Sequence, residues 1–176
     1  MSTTENRYSA LSTINHWVTA LLVVVMITLG YLMSAAPSDA VEDYVLDVHT
    51  SIGFFVFLFV VWRVSFRLYQ GFPKNIGKTA AERWAAYFVH RAILVLLVLQ
   101  VLTGPLYLFT ENECVHVFGW FSVCIPLESL SILHESMEWM HIVTGFYLLP
   151  AVLALHLIGG IRHFIARKYQ QTPADM

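Results

Sequence analysis

Four long stretches of this chain are almost free of charge, at residues 13–33, 48–62, 92–110 and 142–161. Each approaches the ~20 apolar residues that a helix needs to cross a hydrocarbon core of ~30 Å. In lipid the backbone must satisfy its own hydrogen bonds, which a helix does and an open strand does not. The expected fold is therefore all-α: an integral membrane four-helix bundle, with spans near residues 13–33, 46–67, 88–110 and 138–163. A hydrophobic share of 57% against 12% charged residues excludes an ordinary soluble domain, and four spans in 176 residues leave room for one domain, 1–176. The first run lies near the N-terminus, but it is longer than the ~7–15 residues of a signal h-region and opens on His16 and Trp17. It reads as a retained helix.

Charge then orients the bundle. All ten basic residues fall on one side of the four runs: Arg7 before the first; Arg63, Arg67, Lys74, Lys78, Arg83 and Arg91 around the connection between the second and third; Arg162, Arg167 and Lys168 after the fourth. The positive-inside rule makes that side, and both termini, cytoplasmic. The acids sort oppositely, with Asp39, Glu42, Asp43 and Asp47 in the first outer loop and Glu111, Glu113, Glu128, Glu135 and Glu138 in the second. Only Glu5, Glu82 and Asp175 accompany the bases. Such basic residues are topology signals, so nucleic acid is not an expected partner; membrane lipid is.

The connections carry few signals. Ser9, Ser12 or Thr13 can cap the first helix, Pro37 ends it, and Gly71, Pro73 and Gly77 make the inner connection a turn-containing loop. In the second outer loop, VFGWFSV suits a small hairpin or a segment lying on the membrane surface, with Trp120 and Phe121 as interfacial anchors. Cys114 and Cys124 flank it; they can pair in an oxidising compartment or stand as free thiols.

Eight histidines in so apolar a chain require a reason, because an ionisable group inside a span is costly and usually functional. His16 stands about a turn inside the cytoplasmic end of the first span, His49 opens the second at the outer side, and His141 opens the fourth. His156 follows His141 by fifteen residues, ~22 Å along a helix and within about 60° of the same face. Each of these two has a depth-matched partner, His49 for His141 and His16 for His156. A bare zinc or copper site wants three or four ligands at one depth. Paired imidazoles on opposed helices suit the axial positions of a haem, and without C-x-x-C-H it would be non-covalent. The alternatives are interfacial histidines that hydrogen-bond or snorkel, and a cofactor-free transporter that uses them as a proton relay. His90 and His163 fit a propionate or quinone contact, as interfacial histidines would also sit. Arg63 and Arg67 fit propionate partners or mere topology signals. His134 competes with His141, but twenty-two residues separate it from His156, ~33 Å, too far for two sites within the hydrocarbon. His116 belongs to the outer loop.

The segments RYSALSTINHW, DVHTSIGFFVFLFVVWRVSFRL, HRAILVLLVLQVLTGPLYL, VFGWF and ALHLIGGIRHF together resemble the bacterial di-haem cytochrome b561 family over nearly the whole chain. The resemblance implies a transmembrane cytochrome b domain in a bacterial cytoplasmic (inner) membrane. It implies two non-covalent b haems with His16, His49, His141 and His156 as iron ligands, and a quinone as small partner. One feature departs: in the family the two histidines of the last helix stand one residue closer together. Pro150 lies between them here, and a π-type bulge could absorb the extra residue. The expected activity is electron transfer between an outer redox partner and the quinone pool. Superoxide oxidation, which the resemblance implies for some members, is the alternative; an outer face with nine acids and no lysine or arginine would repel that anion and suit a basic redox protein better.

Overall fold

The fold is that of a computed structural model, which describes residues 10–71, 77 and 79–171. Glu5, Arg7, Ser9, Pro73, Lys74, Lys78 and Asp175 lie outside the described residues, as do the side chains of Arg167 and Lys168. Helices α1 (Ala10–Ser34), α2 (Asp39–Gln70) and α3 (Ala80–Thr110) are followed by a hairpin of β1 (Cys114–Val117) and β2 (Phe121–Cys124). A 3-10 turn (Glu128–Leu133) then leads into α4 (His134–Val143), a π-helical turn (Thr144–Leu148) and α5 (Leu149–Gln171), which run on as one fourth span. All four helical stretches are long and apolar enough to cross a membrane.

Several helix ends differ from those expected. Helix α1 is described from Ala10, which places Ser12 and Thr13 within the helix; Ser12 is buried. Helix α2 begins at Asp39, which moves Asp39, Glu42, Asp43 and Asp47 from a loop onto its first turns. Carboxylates there complement the positive end of the helix dipole. Helix α3 starts at Ala80 because Thr79 and Glu82 form a capping box, each side chain bonding the other's backbone N–H. Arg162 on α5 reaches Glu82 at 3.1 Å and ties the two basic-end helices together.

The bundle buries polar side chains beside an apolar core and turns large apolar side chains outward. α1 packs on α2, α2 on α3, and α3 on the fourth span, with α1 touching the π turn. A thin apolar core of Val23, Val56, Val60, Leu97 and Leu149 holds the centre, while Leu21, Leu58, Leu155 and Ile158 are more than half exposed or nearly so, as side chains facing lipid should be. Asn15, Thr19, Ser51, Thr103 and Thr144 are buried. Thr19 and Thr103 return their hydroxyls to the carbonyl four residues back, at 2.7 Å each, since lipid would leave them unpaired.

The π turn has a visible cause and partner. Pro150 has no N–H to offer the carbonyl four residues earlier, at Phe146. That carbonyl accepts the Tyr31 hydroxyl of α1 instead, at 2.9 Å, and the two rings meet edge to face at 4.6 Å. The wider turn absorbs one residue of the fifteen between His141 and His156, bringing their angular offset from about 60° to about 40°.

The second loop is a hairpin rather than a surface-lying segment. Cys114 and Cys124 are directly opposed in its register and joined as a disulfide, their Cα atoms 4.5 Å apart. Val115 and Val117 point inward onto Phe109, Phe54 and Leu127, making a second small core.

Tyr31→Phe should lower stability by about 1 kcal/mol, because it removes the donor of the Phe146 carbonyl in a span where lipid offers no replacement. Thermal unfolding in detergent checks this; an unchanged midpoint would mean that the carbonyl is satisfied some other way.

Candidate functional site

The bundle brings its histidines together at two depths. At the acidic end the rings of His49 on α2 and His141 on α4 have centres 6.3 Å apart and planes at 84°. At the basic end His16 on α1 and His156 on α5 have centres 6.2 Å apart and planes at 70°. No three or more His, Cys, Asp or Glu side chains among the described residues are grouped to hold a metal ion. The arrangement is two pairs, each spanning two helices.

His141 is held in one orientation. Its Nδ1 lies 3.2 Å from the Gln100 carbonyl and 3.3 Å from the Thr103 hydroxyl, both on α3. A carbonyl only accepts, so Nδ1 carries the proton and Nε2 is the unprotonated, accepting nitrogen, the tautomer of a metal-binding imidazole. The Gln100 amide approaches that Nε2 at 3.1 Å. Two glycines make the slot: a Cβ on Gly104 would stand 2.9 Å from His141 Cε1, and one on Gly145 would stand 2.8 Å from Gln100 Nε2. Beside this pair lies a cavity of about 280 Å³ between α1, α2, α3 and the fourth span, lined by His49, His141, Val56, Leu97, Val115 and Val123 among others.

The basic-end pair sits in a polar setting. His90 on α3 approaches His156 to 5.1 Å between ring centres. Arg63 on α2 donates to the Asn15 side chain, which lies one residue before His16. Arg67 lies within electrostatic reach of His16 and also bonds the carbonyl of Gly71 at 3.5 Å. His163 is half-buried, two turns beyond His156 on α5.

Two of the remaining histidines are engaged elsewhere. His134 pairs with Glu111 at 3.2 Å and contacts the Thr110 hydroxyl and Tyr107 carbonyl, so it packs against the end of α3 and does not face His49. His116 bonds Ser122 on the outward face of the hairpin.

Several buried polar atoms around the pairs have no hydrogen-bond partner: His49 Nδ1 and Gln100 Oε1 at one end, Asn15 Nδ2 and Arg63 Nε at the other. Such atoms are rare in folded proteins, and here they cluster at the two histidine pairs. Asn15, Gln100, Thr103, Gly104 and Gly145 escape a reading centred on histidines. The signal was present in Asn15 and Gln100, because an amide within an apolar span needs a partner as much as an imidazole does.

A profile of the family described as prokaryotic cytochrome b561 matches residues 7–173. The chain is also similar to cytochrome b561 homolog 2 of Escherichia coli (strain K12), at 27% identity over 174 residues, covering 98% of this chain and 89% of that protein.

Gly104→Ala should displace His141 and lower the haem content of the purified protein. Gly159→Ala, which meets nothing within 4 Å, should leave it unchanged. Equal haem in both variants would show that the fit of His141 against Gly104 does not govern haem binding.

Proposed function

The chain belongs to the prokaryotic cytochrome b561 family of haem-carrying electron-transfer membrane proteins, and from that premise we propose that it holds two b haems, one at each histidine pair. His49 and His141 hold the one at the acidic end, His16 and His156 the one at the basic end. The observation that carries this reading is the ring spacing. An imidazole nitrogen bonds a metal ion at ~2.0–2.1 Å and lies ~1.1 Å from its ring centre, so two imidazoles facing across one ion have centres ~6.3 Å apart. The pairs stand at 6.3 and 6.2 Å. The unprotonated Nε2 of His141, which the Gln100 amide now occupies, and the adjoining cavity fit the same group.

Each haem, when bound, supplies a one-electron iron couple whose potential its surroundings set. The chain's own side chains do the rest. The Gln100 carbonyl fixes the tautomer of His141, and Arg63 and Arg67 offer guanidinium groups to propionates at the basic end. His90 and His163 flank that end and suit the oxygens of a quinone head group. The protein would pass electrons between an outer redox partner and membrane quinone, in a bacterial inner membrane with both termini cytoplasmic. The grouping of every lysine and arginine at one end supports that orientation. The acidic opposite end favours a basic redox protein as partner over superoxide, which it would repel.

Pyridine haemochrome analysis should give two haems per chain. His16→Ala and His156→Ala should each lose the same one, and His49→Ala and His141→Ala the other, while His134→Ala keeps both. Loss of a haem with His134→Ala but not with His141→Ala would overturn the assignment. In stopped flow, reduction by a basic redox protein should slow as salt rises; reduction by superoxide near the diffusion limit would instead overturn the choice of partner.

A further inference from the structure

One side chain joins the hairpin to the site beneath it. Ser51 on α2, two residues after His49, is fully buried. Its hydroxyl donates to the His116 carbonyl at 3.1 Å and accepts the Phe118 N–H at 2.8 Å. Phe118 (φ 48°) and Gly119 (φ 70°) form the left-handed turn of the hairpin, a conformation glycine adopts freely and phenylalanine does not. Ser51 therefore bonds the hairpin at its most strained residue. The inward strand face brings Val115 and Val123 to the wall of the cavity that His49 and His141 also line, and Val117 beside them is fully buried. Cys114 alternates with these inward residues, and its partner Cys124 is exposed, so the disulfide crosses the outward face.

We propose that this disulfide-closed hairpin is the water-excluding roof of the acidic-end haem, and that Ser51 is the positioning residue that holds it in place. The proposal rests on the two-haem reading above. Ferric bis-imidazole haem carries one more positive charge than the ferrous form, and a dry apolar cavity disfavours the charged state. Solvent exposure is one of the factors that set haem potentials. The closed roof thus raises the potential of the haem below it, and anything that lifts the roof lets water stabilise the ferric state and lowers that potential. Ser51 governs the inner attachment, the disulfide the rigidity of the strands.

Potentiometric titration of the holoprotein tests this, with the acidic-end wave identified as the one missing in His49→Ala. In Ser51→Ala the equilibrium constant for reducing that haem should fall three- to tenfold, tenfold being about 59 mV for one electron, while the basic-end wave stays in place. Wild-type protein treated with a membrane-impermeant phosphine, then alkylated and freed of reagent, should show a shift of the same sign. The phosphine takes an oxygen from water as the S–S bond accepts two electrons and two protons to give two thiols. This second arm leaves the sequence native, so the test survives a failure of Ser51→Ala to fold. Two waves that move in neither preparation would overturn the roof alone. A single haem per chain that survives His49→Ala would overturn the two-haem reading and the roof with it.

Discussion

Every polar group buried in this bundle must find its partner inside the protein, because lipid offers none. That constraint explains the arrangement better than apolar packing does, since the apolar core is only a few side chains wide. Threonines fold back on their own helices, Tyr31 answers the carbonyl that Pro150 leaves without a donor, and Ser51 satisfies two backbone groups of the hairpin. Among the described residues, the buried side-chain atoms that stay unsatisfied gather at the two histidine pairs. In a bundle that otherwise pairs its buried polar atoms so thoroughly, this is where a further group with something to offer them would belong.

The four spans are legible in the sequence because a helix across lipid needs little beyond length and an absence of charge. The depths of His16, His49, His141 and His156 follow from the rise per residue, and the fifteen-residue spacing with Pro150 foreshadows the π turn at Thr144–Leu148. Helix ends were harder to read. Asp39, Glu42 and Asp43 look like loop residues in an apolar chain, yet they favour the first turns of a helix for electrostatic reasons, so α2 extends well past its hydrophobic run. The slot around His141 was not legible. Gly104 and Gly145 matter only because α3 and the π turn come close enough for a methyl group to collide, a fact of tertiary packing that no local pattern encodes.

The π turn and the hairpin serve one end of the molecule together. The π turn adjoins the His141 side of the cavity through Gly145 and Phe146, and the hairpin adjoins the His49 side through Ser51 and Val115. Both are departures from regular helix, and both have their backbone groups bonded by a side chain from a neighbouring span. Irregular backbone near a bilayer is tolerated where protein buries it or where it lines a cavity, and here it meets both conditions.

The two ends use different physics to influence a bound haem on the proposed reading. At the acidic end the surroundings are apolar and roofed, and the lever is exclusion of water. At the basic end the surroundings are polar, with Arg63, Arg67 and His90 close to His16 and His156, and the lever is fixed positive charge. Both disfavour the ferric state, but they differ in reach. Water exclusion acts only where the roof closes, whereas the partly buried guanidinium groups act through space and, being withdrawn from solvent, are little screened by salt. The potential of the acidic-end haem should therefore respond to the state of the hairpin, and that of the basic-end haem to the presence of its guanidinium partners, so the driving force between the two can be set from either end independently.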